Sequence, residues 1–268
     1  SPIRPRRSRS SPSSRGAVDA GGKAISMVSF GVVAATIFGI PIGTLISDAF
    51  GWRVAFGSLA ALAFAKAALL FFTLPSMAGK KEVQPVSAQL GILRNPLIAG
   101  HVLLSLLVFA GMFATYTYLA DILGRLGHFD GGTVGWILMG FGGMGLLGNW
   151  LGGRMVDRSA LGASVAFCVP IAVAMVLAVP LVKSHLWLGV VLAVWGASQA
   201  ALFTVSHVRV MKSASANAAL GASLNISGAN MGIGLGAMIG GRVIDHYGLP
   251  AVGIAGAVVM ALAVVLSL

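Results

Sequence analysis

The chain has 268 residues, of which 57% are hydrophobic and 9% charged, where a soluble domain carries about 25% charged residues. A mean hydropathy of +0.93 and 37 glycines point to a polytopic, all-α integral membrane protein whose helices pack through small side chains, and they exclude a soluble globular domain. The net charge of +11 invites a nucleic-acid partner that the placement of the basic residues argues against, and the single cysteine, Cys168, leaves no internal disulfide to form.

Residues 1–22, "SPIRPRRSRSSPSSRGAVDAGG", are rich in Ser, Pro and Arg and have no apolar face, so they read as a disordered basic tail. The Arg6–Arg7 pair has no compact apolar segment behind it, as a targeting signal would need. A bilayer needs ~20 apolar residues per helix. Runs of that kind occupy 25–47, 54–74, 97–120, 133–152, 160–182, 186–208, 217–241 and 249–268, which predicts about eight transmembrane helices. They are too long for strands and lack polar alternation, and open sheet edges cannot face lipid. Short connections make successive helices antiparallel. In the one longer linker, Val86, Leu90 and Leu93 recur at helical spacing, which predicts a short helix lying on the membrane surface.

The basic residues fall mostly on one side. The tail carries Arg4, Arg6, Arg7, Arg9, Arg15 and Lys23, and alternate connections carry Lys80, Lys81 and Arg94, then Arg154 and Arg158, then Arg209 and Lys212. The opposite loops hold Arg53, Arg125, Lys183 and Arg242, and Lys66 lies inside the second span. Positive charge gathers on the cytoplasmic side of membrane proteins, so both termini are expected there. Topology therefore accounts for the charge, and no nucleic-acid partner is expected.

One pattern recurs. "GIPIGTLISDAFGW" (39–52) and "GAMIGGRVIDHYG" (236–248) align Gly39, Gly43, Asp48 and Gly51 with Gly236, Gly240, Asp245 and Gly248, all 197 residues apart. Phe50 aligns with Tyr247 and Gly31 with Gly228. The two segments lie six helices apart and so point the same way, as in a parallel repeat about an axis along the membrane normal. Glycine lets backbones approach and Pro41 bends its helix, which suits a rocking surface. The third to eighth spans make one six-helix copy, and the first two are the end of another.

Specific motifs carry a resemblance. "GIPIG" (39–43) resembles the antiporter motif in the fifth helix of the major facilitator superfamily, and "GRMVDR" (153–158) the loop motif after its eighth helix. "NPLIAG" (95–100) resembles the entry to the seventh helix, and "SLNISGANMGIGLGAMIGG" (223–241) the eleventh helix of the drug–proton antiporter and sugar-efflux permease branch. The resemblance covers about 23–268. It departs at the loop motif, where "SALGAS" follows Asp157–Arg158 without further basic residues, and at the first four helices, for which no counterpart is expected here.

The resemblance implies a partial 6+6 fold. Residues 23–75 would be the last two helices of the N-terminal bundle, 76–96 a cytoplasmic linker, and 97–268 the C-terminal six-helix bundle. It implies a multi-pass protein of the bacterial inner membrane, and proton-coupled efflux of a small organic molecule such as a drug or sugar by alternating access. The family's seventh and tenth helices line the cavity; here these are the third and sixth spans. The third carries His101, Ser105, Met112 and Tyr116 on roughly one face, and the sixth carries Trp195, Ser198, Gln199 and Ser206. The expected substrate cavity therefore comprises Tyr116, Met112, Trp195, Ser198, Gln199 and Asn225, with interhelical hydrogen bonding as the alternative role for these polar groups. His101 is expected at the membrane interface. Gly39, Pro41 and Gly43 would form the antiporter-type hinge. Gly153, Asp157 and Arg158 would form a cytoplasmic gate, or else a solvated loop.

Lys66 is the one charge deep in a span and is read as a structural lysine that reaches toward the interface, although an ion within the bilayer always raises a functional question. Asp121 ends the third span, where a solvated carboxylate is expected. Asn149, Asn225 and Asn230 are expected to bond between helices. No HExxH, CxxC or GxxxxGK[ST] pattern occurs, so neither an enzyme nor an ATP-driven pump is expected, and no cofactor or metal. The implied partners are the lipid bilayer, a small organic substrate and the proton. Two alternatives stay open: a truncated permease fragment that transports nothing alone, and an integral-membrane enzyme or scaffold subunit.

Overall fold

The computed structural model describes residues 35, 38–39, 42–43, 45–73, 91–214 and 218–268. The basic tail, Pro41, Gly31 and the surface-helix positions Val86 and Leu90 lie outside the described residues. The first expected span, 25–47, is described only in part, and Leu93 falls in a 3₁₀ turn, Gly91–Arg94.

Among the described residues the long helices are, in chain order, α1 Trp52–Thr73, α2 Pro96–Tyr116, α3 Gly131–Arg158, α4 Ala160–Ala178, α5 His185–Ser213, α6 Ala218–Tyr247 and α7 Val252–Ser267. Leu119–Asp121 and the π-turn Ile122–Leu126 extend α2, and Leu249–Ala251 leads into α7. Among the described residues there is no strand. Among the described residues, six segments are long and apolar enough to cross a membrane: α1, α2 with its extension, α3, α4, α5, and α7 with its lead-in. The 30-residue α6 is long enough, but its glycines and asparagines keep it less apolar than those six.

Local chemistry sets the helix starts. Asn95 accepts from the Leu97 N–H with Pro96 in the first turn, Asp130 accepts from Thr133, and Ser159 accepts from Gly162. The Thr133 hydrogen bonds hold the Asp130 carboxyl below its ordinary range. That cap is therefore intact above the ordinary carboxylate pKa and loses its contribution as the pH falls through the lowered value.

Three helices outrun their expected ends. α3, α5 and α6 continue to Arg158, Ser213 and Tyr247, so Arg154, Arg158, Arg209, Lys212 and Arg242 belong to helices and not to connections. Hydropathy falls off where the apolar side chains end, but backbone hydrogen bonding carries the helix further.

Packing follows an exchange. α2 lies against α6 and α7, α5 lies against α3 and α4, and the α4–α7 and α5–α6 contacts close the bundle. Within α2–α4 and α5–α7, the first helix of each triplet thus packs on the last two of the other. Phe109, Met112, Met175, Trp195, Leu202 and Met260 fill the centre, each fully buried. α1 stands apart: only Ala55 along its length is buried.

Glycines set the closest approaches. Along α6, a Cβ at Gly232, Gly236 or Gly240 would run into the main-chain carbonyl of Leu106, Ala110 or Ala114 respectively, and one at Gly228 would meet Val102. The three steps of four residues on each helix make α2 and α6 parallel neighbours over more than three turns. Gly148 and Gly152 of α3 sit in the same way against Ala197 and Ala201 of α5.

The repeat has a common geometry at its end. Gly51 and Gly248 both adopt left-handed backbone, φ 84° and 81°. Each donates its N–H to the carbonyl four residues earlier, Ser47 at 2.8 Å and Ile244 at 2.9 Å. A side chain there would be strained, which explains why glycine closes both segments. The surroundings differ, however. Among the described residues nothing lies within 4 Å of a Cβ at Gly39 or Gly43, whereas the matching Gly236 and Gly240 press on carbonyls. The Asp48 carboxylate lies against Gly131 in the first turn of α3.

This packing separates glycines by their cost of substitution. Gly236→Ala should lower stability by about 1–3 kcal/mol through overpacking. Gly234→Ala, which points into open space, should gain roughly 0.5–1 kcal/mol in helix propensity. Thermal unfolding of the two variants in detergent checks this, and equal effects would contradict the α2–α6 contact.

Candidate functional site

Two features meet on α2 and α5: an aromatic band and a polar network. The band crosses three helices. Phe109 of α2 stands edge-on to Phe203 of α5 at 4.6 Å between ring centroids, and Phe113 contacts both Phe203 and Tyr116. Tyr116 stacks on Phe141 of α3 at 5.4 Å, and Phe141 is edge-on to Trp195 of α5 at 5.9 Å. The Trp195 indole donates to Gln199 Oε1 at 3.0 Å. Phe203 is 42% exposed and Phe113 and Tyr116 are half-buried, so this is the open side of the band. Met112, Trp195, Ser198 and Gln199 are buried behind it. The expected cavity residues of α2 and α5 therefore lie together, while Asn225 lies elsewhere. Sequence reasoning passed over Phe109, Phe113, Phe141 and Phe203, which in a chain this apolar read as ordinary span residues.

The polar network lies toward the end of the bundle where α2 begins and α5 finishes, called here the basic end because Arg94, Arg158 and Lys212 mark it. Its centre is Arg209, near the end of α5 and 1% exposed. Nη1 donates to Ser164 Oγ of α4 at 2.6 Å, and Nη2 donates to Ser105 Oγ and the His101 carbonyl of α2 at 2.9 and 3.4 Å. Nε has no partner. Ser105 Oγ donates to Asn225 Oδ1 of α6 at 2.8 Å, and Asn225 Nδ2 lies 3.4 Å from His207 Nδ1 of α5. Four helices are thereby tied together by one guanidinium, two hydroxyls and one amide. Among the described residues no carboxylate faces Arg209: Asp48, Asp121, Asp130, Asp157 and Asp245 are all exposed. Ser105, expected on the cavity face with His101, turns its hydroxyl into this network. Counting Arg209 as a loop residue concealed it from the sequence.

The remaining candidates are dispersed. Asp157, at the end of α3, pairs with Lys212 of α5 at 3.1 Å, and Lys212 also donates to the Val156 carbonyl at 3.3 Å. Both partners are exposed, and such a pair contributes about 0–1 kcal/mol. Arg158 is exposed beside it and Gly153 half-buried. Lys66 is exposed on α1. Asn149 accepts from Thr204 across α3 and α5 at 2.9 Å, and Asn225 bonds across helices as described. Asn230 departs from expectation: it is exposed, and its Nδ2 donates within its own helix to Ile226. Cys168 is fully buried. At the end opposite the network, a recess of about 390 Å³ is lined by Tyr118, Ala237, Met238, Gly241, Arg242 and Asp245. On α2, Tyr118 stands roughly 25 Å along the helix from His101 at the helical rise, so this recess is remote from Arg209.

Comparison with known proteins agrees with this architecture. Residues 17–225 match the Major Facilitator Superfamily. The chain is 34% identical over 246 residues to the inner membrane transport protein YdhP of Escherichia coli K12, covering 91% of this chain and 62% of that protein. It is 26% identical over 236 residues to the "Probable sugar efflux transporter" of Pasteurella multocida, covering 88% of this chain and 58% of that protein. The chain thus spans less than two thirds of the length of these relatives. With a family match over most of its length and an all-helical bundle built on glycine contacts, this chain belongs to the major facilitator superfamily of membrane transporters.

Proposed function

We propose that the chain forms the larger part of a secondary active transporter that expels a small organic molecule, of sugar or drug type, in exchange for protons across the bacterial inner membrane. The basic end is cytoplasmic in this reading, and so are both termini. The observation that carries it is the matched pair of left-handed glycine ends, Gly51 and Gly248, on segments that share a 197-residue offset. Equivalent, like-oriented segments in two bundles are what a rocking, alternating-access mechanism requires. The open aromatic side, Phe113, Tyr116 and Phe203 with Gln199 behind it, suits an amphiphilic solute: rings stack on a sugar or drug face, and a few polar groups orient it. The efflux direction and the sugar class draw support from the name of the Pasteurella relative. Asp157 and Lys212 serve as the cytoplasmic gate pair, and Gly39, Pro41 and Gly43 as the hinge.

A second reading is supported by α1, whose apolar surface is exposed along its length except at Ala55. A helix so placed has a face for partners that the described chain does not supply, and the bundle would then insert without transporting alone.

Proteoliposomes of the purified chain separate the two. With the interior made acidic, radiolabelled lactose or ethidium should accumulate several-fold above the level without a gradient. Accumulation that ignores the gradient would remove proton coupling, and no uptake under any condition would establish the second reading. Gly43→Leu should abolish uptake while leaving membrane insertion intact; wild-type rates would remove the hinge. Gln199→Ala should alter the lactose-to-ethidium preference more than the expression level, and a variant that merely fails to accumulate in the membrane would mark Gln199 as a packing residue.

A further inference from the structure

Within the bundle the described carboxylates offer no site for a proton at depth, since all five are exposed. The imidazoles divide into two groups. His128, His185 and His246 are exposed at the end opposite the network, while His101 and His207 are half-buried toward the basic end. His207 is the one whose ring enters the network, through Nδ1 and Asn225 Nδ2. We infer that His207 is a proton-binding residue, and that its protonation is relayed from α5 to α2 by a flip of the Asn225 amide and a turn of the Ser105 hydroxyl, with Arg209 as the fixed donor behind them.

The inventory of donors and acceptors leads there. A guanidinium donates and never accepts, so Ser105 Oγ must accept from Arg209 and has a single hydrogen to place. Two acceptors are within its reach: Asn225 Oδ1 at 2.8 Å and the His101 carbonyl at 3.2 Å. When the hydrogen goes to Asn225 Oδ1, Asn225 Nδ2 faces His207 and Nδ1 must accept, which leaves the ring neutral with its hydrogen on Nε2. When a proton binds Nδ1, the ring becomes a donor. Asn225 then turns Oδ1 toward it and Nδ2 toward Ser105 Oγ, and the Ser105 hydrogen moves to the His101 carbonyl. Every group bonded in the first arrangement is bonded in the second. The network therefore has two discrete settings, selected by one proton, and they differ in what Ser105 on α2 donates to.

The described charged and titratable groups linked to this network are few. Arg209 shares the helix of His207 and donates to the His101 carbonyl of α2, and Cys168 of α4 lies within electrostatic reach of Arg209. α3 contributes Asp157, already engaged by Lys212 further along α5, and α6 contributes Asn225. The role in transport rests on the efflux reading above; the binding of the proton does not.

The test is ring-nitrogen NMR of the full chain, ¹⁵N-labelled at histidine and asparagine, in lipid nanodiscs, with His207→Gln identifying the signal. In the neutral ring Nδ1 should be bare and Nε2 should carry hydrogen, and acidification should add the proton at Nδ1. The Asn225 side-chain amide signal should move with the same midpoint. In Asn225→Leu, proton binding should weaken roughly tenfold, because the charged ring loses the stronger bond. A ring neutral down to pH 5, hydrogen on Nδ1 at high pH, an Asn225 amide that does not follow the titration, or an unmoved midpoint in Asn225→Leu would each overturn the inference. Should Asn225→Leu not fold, the amide signal of the wild type decides. In proteoliposomes holding a pH-sensitive dye, lactose-driven proton movement in the wild type should fall at least tenfold in His207→Gln. Undiminished movement in that variant would refute the transport role of His207. No movement even in the wild type would refute antiport itself, with the NMR still deciding proton binding.

Discussion

Lipid tails are as apolar as leucine, so burying apolar side chains between two helices in a bilayer yields little, and association depends on how closely backbones approach. The α2–α6 contact shows what that demands. At three successive turns the absence of a side chain at Gly232, Gly236 and Gly240 lets the carbonyls of Leu106, Ala110 and Ala114 come to the helix surface. Weak Cα–H···O contacts, each about 0.5–1 kcal/mol, become available only at such separations. The polar network depends on the same approach. Ser105 and Asn225 lie at the start of this ladder, and their 2.8 Å hydrogen bond crosses an interface that the glycines have already closed.

The two copies of the glycine repeat share their ends and differ along their length. Gly51 and Gly248 have the same left-handed turn and the same backbone bond, whereas Gly39 and Gly43 face open space where Gly236 and Gly240 face carbonyls. A conserved end geometry with unequal surroundings fits a pair of bundles in which the second supplies its own neighbours and the first does not. The exposure of α1 belongs to the same pattern.

Much of this was legible in the sequence because it rests on periodicity and on backbone constraint. The apolar runs place the helices, and the 197-residue offset marks two equivalent segments, which the structure ends in the same left-handed glycine. The polar chemistry was harder to read. Arg209 reads as part of a connection because hydropathy fades before the α5 helix does, and its charge then reads as topology. Asn230 looked like Asn225 by composition and neighbourhood, yet one faces the α2 interface and the other is exposed on the far side. Phe203 and Phe113 follow the same helical spacing as core residues, and only the fold distinguishes the open side of the bundle from the closed one.

Arg209 also shows why stability alone does not account for the network. Moving a guanidinium out of water costs several kcal/mol even after relaxation, and no described carboxylate offsets it. Its three hydrogen bonds to neutral oxygens return roughly 1.5–3 kcal/mol each, against an unpartnered Nε. The sum is near balance, so an apolar side chain of similar size would hold α2, α4 and α5 together as well. An apolar side chain would not orient the Ser105 hydroxyl. A donor that cannot reverse leaves that hydroxyl with two settings, and through Asn225 it leaves His207 with one definite way of being neutral and one of being charged. The permanent cation therefore matters for direction: it makes the protonation state of a half-buried imidazole on one helix legible on another.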